Sequence, residues 1–276
     1  MEFINVNGKI VDREKAFIRA DNHSYRYGDG LFETMKVMDG RILLSDLHFE
    51  RLFDSLSILK LKTPKLFTAE YLAKEIIKLC QKNNCGQMGR VRLSVSGGNG
   101  GLYDSGENIQ YLIECWPLLT SINQLNENGL VIGIFPDAKK TCDVFSHLKS
   151  ASHLPYVVAA RFAKENKLND CLLLNSYDRI CDSTIANLFW IKDKEVLTPP
   201  LSEGCISGVM RKHLVKSLQD TGYKAQEKLC EIADLENADE IFLTNAIQGM
   251  RWVKEFRHKI YANTITKDIY RRCIDV

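Results

Sequence analysis

The chain has 276 residues, 45% of them hydrophobic and 26% charged, enough to bury the core of one large domain or two modest ones. A formal net charge of +2, with no basic block and no Lys/Arg tract interleaved with aromatics, gives no electrostatic footprint for nucleic acid or a membrane surface. Nine cysteines, odd in number and without a CxxC pair, read as free thiols of a reducing compartment rather than disulfides or a metal centre, and neither a signal peptide nor a transmembrane span is legible, so the expected location is cytoplasmic.

In chain order, Phe3 to Asn7 and Lys9 to Val11 read as short strands about Gly8. The strand Leu31-Phe32-Glu33-Thr34-Met35-Lys36-Val37 follows Gly28-Asp29-Gly30, and Asp39-Gly40 is a two-residue hairpin signal before the return strand Arg41 to Leu44. No GxGxxG is present, and a strand rather than a helix follows these glycines, so a phosphate loop here is a weak reading. Ser45 is placed as an N-cap, with Phe49, Leu52, Phe53, Leu56 and Leu59 as a helical stripe and Arg51 beside it. Taken alone, Arg51 is a helix-surface arginine. Thr68 is a second cap, ahead of Leu72, Ile76, Leu79 and Cys80. Arg90 to Ser96 alternates as a half-buried strand with Arg90 and Arg92 on its polar side. Gly97 to Gly101 is a loop, Ile109 to Cys115 a strand, and 117–128 a polar linker between two domains, 1–120 and 121–276.

The second half opens with a strand over Gly129 to Phe135 and an irregular stretch over Asp143 to Lys149. Lys149 sits between Leu148 and the small residues Ser150-Ala151-Ser152, which lead into a helix through Tyr156, Val157, Ala160 and Phe162. Most lysines are solvated surface groups. One that reacts as an amine needs partial burial or a nearby cation. Further on, Asp182 lies in an apolar setting, costly unless a cation pairs with it. The helix starting about Gly208, with Leu214, Val215 and Leu218 on one face, offers free N–H groups to an anion. An acid and an anion cradle together suit a ligand with a cationic ring and a phosphate, such as pyridoxal phosphate. A hairpin with Asp182 as a turn residue, followed by a surface helix, explains the same stretch equally well.

Five motifs add to this reading. They are Gly28-Asp29-Gly30-Leu31-Phe32-Glu33-Thr34 with His48 and Arg51-Leu52; Ala186-Asn187-Leu188-Phe189-Trp190; Leu197-Thr198-Pro199; Gly208-Val209-Met210-Arg211; and Ala238 to Ile247. Together they resemble the class IV aminotransferase family, fold type IV of the pyridoxal phosphate enzymes, and within it the 4-amino-4-deoxychorismate lyase branch. The resemblance implies a two-domain α/β fold, with a small N-terminal α+β domain over 1–120 and a larger C-terminal domain over 121–276 that carries the lysine. It also implies a cofactor in the cleft between them and a homodimer. It makes Lys149 the Schiff-base lysine, sets Arg51 and the amides at Val209, Met210, Asn245 and Ala246 on the phosphate, and gives Asp182 to the pyridine nitrogen. Phe32 and Arg92 become candidate substrate contacts.

The implied reaction converts 4-amino-4-deoxychorismate to 4-aminobenzoate and pyruvate. The alternative is transamination of branched-chain or D-amino acids with 2-oxoglutarate. Two departures stand out. Asp182 replaces the family's glutamate, and the arginines that the lyases carry near the positions of Gly97 and Leu102 are absent, leaving Arg92 as a substitute.

Overall fold

In the computed structural model, which describes residues 1–103 and 109–274, the chain begins with a hairpin. Asn7 and Gly8, both at positive φ (51° and 86°), fold β1 (Phe3–Val6) back on β2 (Lys9–Asp12). Then come α1 (His23–Tyr27), β3 (Leu31–Met38), β4 (Arg41–Ile42), α2 (Ser45–Ile58), α3 (Ala69–Lys82), β5 (Met88–Ser96) and β6 (Gln110–Pro117). Asp39-Gly40 turns β3 into β4 with φ of 48° and 72°, the left-handed pair that a tight hairpin between twisted strands needs. The strands form a six-stranded sheet in the order β2-β1-β6-β5-β3-β4. Helix α3 is capped by Thr68, whose Oγ1 accepts from Tyr71 N–H at 3.2 Å, and buries Leu72, Ile76, Leu79 and Cys80. Ser45 does not cap α2. The cap position is Leu44, held left-handed at φ 54°, and Ser45 is the first helical residue.

This sheet belongs to the first of two compact units, Met1–Thr120 together with Lys149–Ser152. The second comprises Ser121–Leu148 and His153–Val276. Its elements are β7 (Leu130–Lys140), α4 (Leu154–Glu165), β8 (Asp170–Asn175), β9 (Ile180–Ser183), β10 (Asn187–Lys192), β11 (Glu195–Thr198), α5 (Val209–Ser217), β12 (Ala225–Glu227), α6 (Ile232–Asn237), β13 (Glu240–Asn245), β14 (Gly249–Phe256), β15 (Lys259–Ile260) and α7 (Thr264–Cys273). The nine-stranded sheet runs β12-β11-β10-β13-β14-β7-β8-β9, with β15 on β14. β9 and β10 are consecutive in the chain yet stand far apart along this path, so the sheet curls round to bring them together; Ser183 N–H reaches Ala186 O at 3.0 Å.

Both faces of its middle strands are covered. Leu188 and Trp190 pack with Ile241 and Leu243 on one side, while Phe189 and Phe242 stack at 5.0 Å on the other, against Leu214 of α5 and Ile269 of α7. This explains the unbroken apolar run of β10, since a strand buried on both faces has no polar side to alternate.

Two departures from the sequence expectation bear on function. β7 does not stop at Phe135 but runs past Pro136, with a register shift between Ile134 and Lys139, to pair Lys140 with Asn175. The segment carrying Lys149, expected on the second domain, is grouped with the first unit.

Candidate active site

Lys149 is tied to the first unit by backbone pairing. Phe32 N–H donates to Lys149 O at 2.9 Å, Ala151 N–H donates to Gly30 O at 2.7 Å, and Leu31 and Ser150 form an antiparallel bridge. Lys149 Nζ stands 4.5 Å from the centroid of the Phe32 ring, and the Arg92 guanidinium carbon stands 3.8 Å from the same centroid. Phe32 lies opposite Ser94, and Thr34 opposite Arg92, so these side chains share one sheet face. Arg92 Nε donates to Ser94 Oγ at 3.1 Å. Burial pulls the Arg92 guanidinium's pKa down, and the charge of Glu114 opposes that. Arg92, Ser94, Tyr111, Glu114 and Ala151 line a cavity of about 330 Å³. Three of the expected site residues, Lys149, Phe32 and Arg92, are thus brought together.

Arg51 is placed differently. Glu33 follows Phe32 on β3 and points to the opposite sheet face. Arg51 closes its fork on that carboxylate, with Nε to Oε1 at 2.8 Å and Nη2 to Oε2 at 2.5 Å, and His48 Nδ1 donates to Oε2 at 2.6 Å. Burial pushes the Glu33 carboxyl up, but Arg51 and His48 outweigh it and hold the group at about 2, below its ordinary 4.5. Nε and Nη2 of Arg51 are thus engaged by Glu33.

In the second unit, Gly208 stands at the N-cap of α5 and no side chain caps the helix. A Cβ at Gly208 would meet Asn187 Oδ1 at 1.8 Å, so glycine alone fits. Asn187 Nδ2 donates to Ile206 O at 2.8 Å, and Asn187 pairs with Thr244 across β10 and β13. Thr244 is 1% exposed and its Oγ1 has no hydrogen-bond partner. An uncapped helix start, a glycine too close-packed for a side chain and an orphaned buried hydroxyl fit an anionic acceptor such as a phosphate. Val209 and Met210 are the first residues of α5. Asn245 spends its side chain on the β13–β14 turn, where Oδ1 accepts from Ile247 N–H at 3.0 Å and Gln248 N–H at 2.8 Å; Ala246 lies in that turn.

Asp182, on β9, is 2% exposed and is not a turn residue. Its Oδ2 accepts from Lys140 Nζ at 3.2 Å, Tyr156 Oη–H at 2.8 Å and Ile206 N–H at 2.8 Å, and its Oδ1 accepts from Asn187 Nδ2 at 3.1 Å. Burial pushes its pKa up, while Lys140 and these donors pull against that. Every partner donates, which favours the carboxylate over the acid. Asn187 therefore joins the acid to the anion cradle. Lys140, Tyr156, Asn187 and Thr244 were not among the residues picked from sequence. Of these, Asn187 and Thr244 carried a signal, as members of the Ala-Asn-Leu-Phe-Trp motif and of the Ala238 to Ile247 motif.

The curled nine-stranded sheet with its glycine-gated helix start, and the six-stranded sheet that holds Lys149, define a two-unit α/β enzyme of fold type IV. The chain belongs to the class IV aminotransferases, whose family model (Amino-transferase class IV) matches residues 30–256. It is 26% identical over 238 residues to the aminodeoxychorismate lyase of Vibrio harveyi, covering 83% of either chain. It is 23% identical over 249 residues to the D-alanine aminotransferase of Staphylococcus haemolyticus, covering 89% of this chain and 86% of that one. The structure of the branched-chain aminotransferase of Thermoproteus uzoniensis superposes with a TM-score of 0.88 at 23% identity, over 98% of this chain and 93% of the other. Among the described residues no group of His, Cys, Asp and Glu could hold a metal ion, and no helix is long and apolar enough to cross a membrane.

Proposed function

We propose that the protein is a pyridoxal phosphate-dependent lyase that converts 4-amino-4-deoxychorismate to 4-aminobenzoate and pyruvate. The observation that carries this reading is the placement of Lys149 Nζ and the Arg92 guanidinium on one aromatic ring, Phe32, with Arg92 reaching into a cavity that also holds Ser94 and Tyr111. An amine and a fixed cation about an aromatic face suit a flat, carboxylate-bearing ring. Pyridoxal phosphate, when bound, supplies an aldehyde that takes up amines and a ring that accepts electrons.

The chain's own residues do the rest. The amides of Val209 and Met210 and the Thr244 hydroxyl would hold the phosphate, and Lys149 would be the amine that takes the aldehyde. Lys149 Nζ would also move the protons of the reaction, as general base on the substrate's ring proton and as general acid on the departing enolpyruvyl carbon. Phe32 orients the substrate ring and Arg92 its carboxylate. Transamination of branched-chain or D-amino acids is the second reading, favoured by the aminotransferase relative.

The exposed apolar residues Phe17, Ile18, Tyr25 and Leu102 of the first unit support a homodimer, and the nine free cysteines support a reducing, cytoplasmic setting. The test is purified protein with aminodeoxychorismate, set against a panel of amino acids with 2-oxoglutarate, scoring pyruvate, 4-aminobenzoate and glutamate. Equimolar pyruvate and 4-aminobenzoate, lost in Lys149→Ala, is the expected result. Glutamate formation alone would replace the lyase by the transaminase, and no turnover of either kind would refute both.

A further inference from the structure

Lys140 ends strand β7, and the bulge between Ile134 and Lys139 lets the chain turn its side chain into the second unit's interior, where the residue is 8% exposed. An ammonium has three N–H donors, and all three of Lys140 are engaged, by Asp182 Oδ2, Tyr156 Oη and Gly204 O. Tyr156 Oη in turn donates to Asp182 Oδ2. On the acceptor side Oδ2 holds three donors and Oδ1 holds Asn187. Four separate stretches of chain (β7, α4, β10 and the segment before α5) close on this one carboxylate of β9. A buried ion pair with its hydrogen bonds filled is electrically neutral to its surroundings, and taking either charge away leaves the other stranded in an apolar setting.

We infer that Lys140 is the resident counter-cation of Asp182, so that this acid is closed to a cationic ligand, and a cofactor ring bound beside it keeps its nitrogen unprotonated. The second half of the inference rests on the pyridoxal phosphate reading; the first does not. A carboxylate raises the pKa of a neighbouring pyridine through its net charge, and the Lys140–Asp182 pair has none to offer. The length of the acid matters as well. An aspartate stops short enough for the Lys140 ammonium to stand against it at 3.2 Å inside a packed interior.

Two measurements test this. The first uses the cofactor-free chain in a denaturant-unfolding cycle of Lys140→Met, Asp182→Asn and the double variant, with Tyr156→Phe as a milder probe should a charge-removing variant fail to fold. The expected result is that each single change lowers the midpoint while the double variant loses clearly less than the two combined, and that Tyr156→Phe lowers it modestly. Simple additivity, or a Tyr156→Phe variant as stable as the parent, overturns the pair. The second loads the parent with pyridoxal phosphate labelled with ¹⁵N in the ring and reads the nitrogen resonance. The unprotonated-pyridine position is expected in the parent, moving towards the pyridinium position in Lys140→Met. A pyridinium signal in the parent overturns the inference. A parent that retains no cofactor after dialysis refutes the proposed function instead, and the unfolding cycle then decides the Lys140–Asp182 pair alone.

Discussion

Glu33 is the clearest case of a residue whose worth depends on its partners. Alone in its buried place it would be protonated, but with Arg51 and His48 on it the pKa falls to about 2 from 4.5. A carboxyl depressed on folding contributes stability that is fully present above its unfolded value and is lost as pH falls through the folded one. The window therefore runs from about 4.5 down to about 2, and the contribution is on the order of 3 kcal/mol. Acid titration of the unfolding midpoint should show this loss in the parent and not in Glu33→Gln, which begins destabilised at neutral pH. Arg51→Lys gives up the two-toothed contact and should cost about 1–3 kcal/mol in the cofactor-free chain; an unchanged midpoint would mean that the fork is idle. At Asp182 the extra methylene of Asp182→Glu enters a site 2% exposed, where Lys140, Tyr156 and Ile206 already crowd Oδ2. Overpacking of that kind costs roughly 1–3 kcal/mol, so thermal unfolding should place this variant below the parent.

At the scale of elements, the start of α5 and the end of β13 meet at Asn187, and each makes a separate prediction. Gly208→Ala puts a methyl group 1.8 Å from Asn187 Oδ1 and so displaces the side chain that joins Asp182 to Ile206. Both stability and cofactor retention should fall. Thr244→Val separates the two. The buried Oγ1 has no partner, so removing it should leave the cofactor-free chain as stable or about 1 kcal/mol more so. If that hydroxyl serves a phosphate, the same change weakens pyridoxal phosphate binding by about tenfold, and equal loss in both states would return Thr244 to a purely structural role. These elements also show what the sequence could and could not say. The helix after Gly208, the left-handed turn at Asp39-Gly40 and the alternation of β5 are local, written in periodicity and turn chemistry. The far end of β7 is not. Pro136 and Asp137 read as a break, and only the parallel pairing with β8 carries the strand on to Lys140. The partner of Asp182 was hidden for that reason, and so was the Glu33 partner of Arg51, because that contact joins β3 to α2 across 18 residues of chain.

For the molecule as a whole, the proposed function turns on which of two lysines would carry the cofactor. Lys140 and Lys149 are near neighbours in sequence, yet the first stands in the second unit and the other is stitched to the first. A lysine that bonds to an aldehyde must offer a lone pair. All three donors of Lys140 are given to acceptors, one of them a carboxylate, which holds the ammonium and leaves no lone pair to attack with. Lys149 presents Nζ to the face of Phe32, beside Arg92, and the small residues Ser150 and Ala151 follow it. Borohydride reduction of the loaded protein, then peptide mass mapping, should therefore place the pyridoxyl group on Lys149. Lys140→Met should keep that label and Lys149→Ala should lose it. A label on Lys140 in the parent would overturn both the assignment of the carrier and the ion pair with Asp182, because an amine cannot be at once a clamped ammonium and a nucleophile.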